Sequence, residues 1–344
     1  MRLGIIGLPQ SGKSTVFEAL SRSPRDPGGR IESKIASARV PDERIDKLSA
    51  MYKPKKTIFA QVEYFLPGLG GGAQKKAEDE SIWNSVRACD ALIHVVRNFR
   101  AEGLTPAAAP DDFAKLDHEM IFSDLMTLSK RLERINADKD RGKKIDPAEL
   151  AIIEQLVKHL ETDQPLRRVP ELAASPLLKS FTLVSAKPTL VLFNNDDTDE
   201  TEPASTGTLA AEKRMVIRGR LEAEMSQLPP EDAKAFLAEF GIAHSALDRV
   251  IRASYDLLGL ISFFTVGPDE VRAWTIRKGT EALDAADCIH SDIRRGFIRA
   301  EVLAYDDLMS SGTYAEARKL AKVRLEGKAY PVKDGDIIEF RFNA

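Results

Sequence analysis

The stretch Gly7-Leu8-Pro9-Gln10-Ser11-Gly12-Lys13-Ser14 follows the apolar run of residues 2–7 and leads into a helix-forming segment from about Lys13 to Ser21. Glycine, four residues, then Gly-Lys-Ser between a strand and a helix is the pattern of a phosphate-binding loop. The glycines let successive backbone N–H groups turn inward toward phosphate oxygens. The helix start adds its partial positive charge at the same place. Pro9, Gln10, Ser11, Gly12, Lys13, Ser14 and Thr15 are therefore candidate phosphate-binding residues. Lys13 is expected to reach the β- and γ-phosphates, and Ser14 to offer its hydroxyl to Mg²⁺. The cofactor expected is Mg²⁺ with ATP or GTP.

Working outward, Ala91–Val96 and Thr189–Phe193 are short apolar runs of the kind that form buried parallel strands. Residues 57–66, TIFAQVEYFL, alternate as one further strand, and a helix is expected over residues 79–88. Strands alternating with helices predict an α/β fold. In such sheets ligands bind outside the carboxyl ends of the strands. Asn194, Asn195 and Asp197 stand at such an end and are candidate base contacts. The same residues are also compatible with a plain Asn/Asp turn.

Residues 113–135 change character. Ile121, Leu125, Leu128, Leu132 and Ile135 step by 4, 3, 4 and 3. Leu150, Ile153, Val157 and Leu160 continue the seam after a polar connection. Two facing seams predict an antiparallel helical hairpin, although two surface helices packed on the sheet would show the same periodicity. From about Phe263 the tail reads as a small α+β domain with strands at 272–276 and 337–342 and a helix at 283–292. Arg294, Arg295, Arg299, Arg318, Lys319, Lys322 and Arg324 give it a basic tilt, either a solvated face or a contact for RNA phosphates.

The bulk numbers exclude more than they assert. A chain of 344 residues is longer than one core usually grows. With 43% hydrophobic and 30% charged residues it is ordinary globular material, and a net charge of −3 gives no global case for nucleic acid. Two cysteines, Cys89 and Cys288, make no disulfide framework. No apolar run reaches the length of a membrane span, and no leader peptide is read at the start. A cytoplasmic monomer without membrane contact is expected.

Longer segments carry a resemblance. GLPQSGKSTVFEAL at the start, VPDERIDKLSAMYKPKKT at 40–57, CDALIHVVRNF at 89–99 and AKPTLVLFNN at 186–195 resemble the YchF/Obg-like ATPase family. So do VRAWTIRKGT, IHSDIRRGFIRAEVLAYDDL and RLEGKAYPVKDGDIIEFRFN in the tail. The resemblance covers essentially the whole chain. It implies a Ras-like G domain at 1–110 and 182–262, a helical insertion at 111–181, and a C-terminal TGS domain, a β-grasp module, at 263–344. It further implies ATP or GTP hydrolysis and association with ribosome or RNA through the helical and TGS domains.

The chain departs from the family at positions that matter. Gln10 and Ser11 replace the Asn-Val of the family loop, and no threonine occupies the switch stretch Gly28–Ser33. The family's Val-Asp-Ile-Ala-Gly becomes Phe65-Leu66-Pro67-Gly68, so Phe65 stands where the metal-orienting aspartate belongs. Glu63, two residues earlier on the same strand, is a candidate substitute acid, and His94 a candidate catalytic residue near the γ-phosphate. Asp197 ends the base motif where the family carries glutamate, which leaves ATP and GTP both open. The loss of partners for magnesium predicts binding more firmly than turnover. The alternative reading is a catalytically inactive scaffold whose helical and TGS domains bind ribosome or RNA.

Overall fold

The computed structural model describes residues 1–22, 32–68, 82–101, 103–239 and 245–343. They form a mixed α/β protein with two six-stranded sheets. The first sheet has the order β2-β4-β1-β5-β6-β7. Its strands are β1 Arg2–Ile6, β2 Lys34–Arg39, β4 Gln61–Leu66, β5 Ala91–Asn98, β6 Thr189–Asn195 and β7 Lys213–Ile217. The strands β4, β1, β5, β6 and β7 run parallel to one another. β5 and β6 are buried almost from end to end, which is why they read as unbroken apolar runs. Because the strands are parallel, their carboxyl ends share one edge, and the loops leaving β1, β5, β6 and β7 meet there.

Helix α1, Lys13–Ser21, follows β1 and buries Val16, Phe17, Ala19 and Leu20. The expected hairpin is present. One helix runs Ala109–Asp140 and the other Pro147–Leu160. Ile121, Leu128, Ile135, Ile153, Leu156, Val157 and Leu160 form its buried seam, with Leu125, Leu132 and Leu150 packed against it. Pro147 at the first turn and the Asp146 side chain accepting the Ala148 N–H define where the second helix begins.

The chain divides into two compact units, one of Met1–Ser37 with Glu63–Val250, the other of Ala38–Val62 with Ile251–Ala344. The second unit holds the sheet β11-β10-β12-β8-β9-β3. Its strands are β3 Lys56–Ile58, β8 Leu260–Val266, β9 Glu270–Arg277, β10 Phe297–Ala304, β11 Arg324–Glu326 and β12 Asp336–Phe342. A helix, Ala282–Ile289, packs Ala282, Ala285 and Ala286 into a core with Phe263, Ile276, Phe297, Val302, Ile338 and Phe340. The helix Glu43–Tyr52 packs against β8 and β9 of the same sheet, so this mixed sheet carries more than one helix.

One expectation is corrected. Residues 57–66 are not one strand. The extended chain breaks at Phe59 and Ala60, where Val40 donates its N–H to the Ala60 carbonyl. β3 pairs with β9 in the second sheet, whereas β4 pairs with β1 in the first. Alternation reports an extended backbone, but not which sheet completes its hydrogen bonds.

Candidate functional site

The loop between β1 and α1 makes a cradle whose glycines cannot be replaced. Gly12 caps the helix in the left-handed region, at φ 91°, with no side-chain cap over the first N–H groups. A Cβ there would lie 2.1 Å from Asn194 Nδ2. At Gly7 a Cβ would lie 2.3 Å from the Val95 carbonyl oxygen. Gln10 also adopts positive φ, 64°, so the backbone turns twice within three residues. Such turns gather N–H groups into an anion-binding concavity. Lys13 folds across it and donates from Nζ to the Gly7 and Leu8 carbonyls, each at 2.6 Å.

Asn194 braces the cradle from behind. Its Nδ2 donates to the Ser11 carbonyl at 3.1 Å, and its Oδ1 accepts the Gly219 N–H at 2.9 Å. The side chain is buried, so both bonds are shielded from water. Gly219 opens the helix Gly219–Ser226 that follows β7, and one asparagine therefore ties the phosphate loop to a helix on the far side of β6.

Beside Gly12 lies a cavity of about 420 Å³. Phe99, Asn194, Asn195, Asp197, Arg220 and Glu224 are among its lining residues. Asn195 does not present its amide to this space. Its Oδ1 accepts from Asn98 at 2.9 Å and its Nδ2 donates to the Thr201 carbonyl at 2.8 Å. The Phe99 ring also borders this space and comes within 3.9 Å of a Cβ built on Gly12. Asp196 accepts the Arg100 N–H, which joins the loops after β5 and β6. Asp197 is partly exposed, and its Oδ2 lies 3.5 Å from Arg220 Nε. The sequence singled out neither Phe99 nor Arg220. Both follow the carboxyl end of a strand, which is the signal that could have found them.

The positions expected to manage a metal divide differently. Ser14 sits in the first turn of α1. Phe65 is buried in an apolar cluster with Ile6, Trp83, Val86 and Leu92. Glu63 pairs with Arg2, opposite it in the β1–β4 register, whereas the cradle begins beyond Ile6. At about 3.3 Å per residue the length of β1 separates them. Among the described residues no group of His, Cys, Asp or Glu is arranged to hold a metal. Of the expected switch stretch, residues 28–31 lie outside the described residues. Ser33 accepts the Gly68 N–H at 3.0 Å.

His94 lies opposite Ile6 in the sheet and stacks on Phe113 at 5.1 Å. It is 1% exposed, and Nδ1 has no hydrogen-bond partner among the described residues. Burial pushes its pKa down to about 3, helped by the charges of Arg167 and Lys13. The ring is thus neutral and in the core, not on the cavity wall. The basic positions of the tail are mostly matched. Arg294 pairs with Asp284 and Asp287, Arg318 with Glu301, Lys319 with Glu316, and Lys322 with Asp307. Arg295 pairs with Asp292 and Arg324 approaches Glu326 and Asp336. No helix among the described residues is long and apolar enough to cross a membrane.

Comparison with known proteins places these features in company. The YchF-GTPase_C family model, described as "Protein of unknown function (DUF933)", matches residues 260–343. The chain is 37% identical to the ribosome-binding ATPase YchF of Bacillus subtilis over 360 residues, covering 99% of this chain and 98% of that protein. It is 36% identical to the Haemophilus influenzae protein of the same name over 365 residues, with 99% of each covered. The solved structure of the Schizosaccharomyces pombe YchF GTPase superposes with a TM-score of 0.82 at 29% identity, covering 99% of this chain and 97% of that one.

Proposed function

The chain belongs to the YchF family, and from that premise we propose that it binds a purine nucleoside triphosphate with Mg²⁺, hydrolyses it slowly, and associates with ribosomes. The observation that carries this reading is the continuity of cradle and cavity at Gly12: the loop whose glycines leave no room for a Cβ borders a cavity of about 420 Å³ lined by Gly12 and Thr15. In this reading the cradle N–H groups and Lys13 hold the β- and γ-phosphates, and Lys13 exchanges its two carbonyl partners for phosphate oxygens. Phe99 lies against the base or sugar, and Asn194 keeps the two halves of the site in register.

The metal fits this donor set in one form. Mg²⁺ keeps several waters and needs few protein ligands when phosphates supply the rest. Ser14 would hold it together with phosphate oxygens, and the ion would supply charge neutralisation there. With Phe65 in place of a carboxylate, the chain itself does little to orient the surrounding water. Charge-assisted contacts of this kind are worth about 1.5–3 kcal/mol each. Two of them lost at the transition state slow hydrolysis by about two to four orders of magnitude. The backbone cradle is unaffected, so affinity survives better than rate.

The relatives' name, ribosome-binding ATPase, supports both the nucleotide and the ribosome in this reading. The tail, read as a TGS domain, and the hairpin are the surfaces proposed to meet the ribosome, in a cytoplasmic setting. The test is release of phosphate from ATP and from GTP by wild type and Lys13→Ala, together with co-sedimentation with ribosomes at rising salt. Slow release abolished by Lys13→Ala, with salt-sensitive pelleting, is expected. Ribosome binding without any nucleotide turnover would favour the scaffold reading.

A further inference from the structure

We propose that Arg220 sets the base preference of the cavity by occupying one side of Asp197, so that the site favours adenine and turns toward guanine when Arg220 is removed. The inference rests on the purine-nucleotide reading above.

At the carboxyl end of β6 and just beyond it, three residues have their side chains bonded within the fold. Asn194 holds Ser11 and Gly219, Asn195 holds Asn98 and Thr201, and Asp196 takes the Arg100 N–H. Asp197 lines the cavity beside them, and its carboxylate is the one proposed to meet a base. Its carbonyl accepts from Arg218 Nη1 at 3.5 Å. Its Oδ2 lies 3.5 Å from Arg220 Nε, and Arg220 is held in turn by Glu224 at 3.3 Å, one turn along the same helix. The cavity therefore carries an acceptor and a donor side by side.

The two purines ask for different things at this edge. Guanine presents two adjacent donors, N1–H and the exocyclic amine, and is best met by a carboxylate with both oxygens open. Adenine presents one donor, the exocyclic amine, beside one acceptor, N1. A carboxylate oxygen next to a guanidinium N–H matches the adenine edge group for group. The same guanidinium sets a donor against guanine N1–H and removes the oxygen that guanine's second donor would use. The exposed ion pair by itself contributes little, and the discrimination comes from the donors and acceptors of the base edge that a bound purine would leave matched or unmatched. The acid at position 197 thus does not make the site guanine-selective, because its partner changes what it can accept.

The experiment is equilibrium binding of ADP and GDP to wild type, Arg220→Met, and Arg220→Met with Asp197→Asn. Arg220 is 77% exposed on its side chain, so its replacement leaves the fold intact. Wild type is expected to prefer ADP. Arg220→Met is expected to bind GDP about tenfold more tightly than wild type, a change near 1.4 kcal/mol, and the added Asp197→Asn to cancel that gain. An ADP-to-GDP ratio that stays within about twofold in Arg220→Met, or a wild type that already prefers GDP, overturns the inference while leaving the nucleotide reading in place. A wild type that binds neither nucleotide overturns both.

Discussion

Replacing Asn194 with alanine tests the brace on which the site depends. The substitution removes the bonds to the Ser11 carbonyl and the Gly219 N–H. Each bond contributes about 0.5–1.5 kcal/mol net, and each buried partner left unmet adds a penalty of about 1–3 kcal/mol unless water enters. Because the cavity lies alongside, partial rehydration is expected, and a total loss of roughly 2–4 kcal/mol follows. In a domain of 150–250 residues that corresponds to a fall in Tm of about 5–15 °C. Nucleotide affinity should drop as well, by about tenfold or more, since the loop and the helix starting at Gly219 are no longer held together. The assay is thermal unfolding by circular dichroism paired with nucleotide titration. Asn194→Asp serves as the control: it keeps an acceptor for Gly219 but sets a carboxylate oxygen against the Ser11 carbonyl, and should be nearly as damaging. A variant melting within about 2 °C of wild type, with unchanged affinity, would refute the bracing role.

Other perturbations separate the remaining claims. Gly12→Ala places a Cβ 2.1 Å from Asn194 Nδ2 at a positive φ, so nucleotide binding should be lost even if the protein still folds. Equilibrium titration with ATP checks it. Glu63→Ala should leave phosphate release unchanged and cost at most about 1 kcal/mol of stability, because the Arg2–Glu63 pair is about one-third exposed and screened. His94 has a folded pKa near 3 against an unfolded value near 6.5. Between those values the unfolded chain binds the extra proton, so its contribution is intact above pH 6.5 and falls as the pH drops. The loss should reach about 2 kcal/mol at pH 5. Denaturant melts of wild type and His94→Gln at pH 7 and pH 5 report it: the variant should lack that part of the acid sensitivity.

The legible parts of the fold were those whose signal is local. The phosphate loop announces itself by glycine spacing, β5 and β6 by unbroken apolar runs, and the hairpin by a seam that the helices Ala109–Asp140 and Pro147–Leu160 bury. What escaped was pairing at a distance. Residues 57–66 alternate correctly, yet their hydrogen bonds go to two sheets. The partners of Asn194, Ser11 and Gly219, come from two other elements, with no spacing rule to connect them. Glu63 shares a strand face with Phe65, but only the register shows that it stands opposite Arg2. The basic run of the tail counted positions and not partners, whereas Arg294, Arg318 and Lys322 each meet an acid. Helix Glu43–Tyr52 passed unread although Asp42 caps it and Ile45 and Leu48 lie three apart on its buried side.

Calorimetric titration of wild type and Lys13→Ala with ATP and GTP in the presence of Mg²⁺ puts the nucleotide-binding site itself on trial. Saturable one-to-one binding with a Kd of about a micromolar or tighter is expected for wild type. For Lys13→Ala the affinity should fall about tenfold to a hundredfold, the weight of a charge-assisted phosphate contact. No saturable heat with either nucleotide at about millimolar concentration, or equal affinity in both proteins, would contradict a nucleotide held by this cradle.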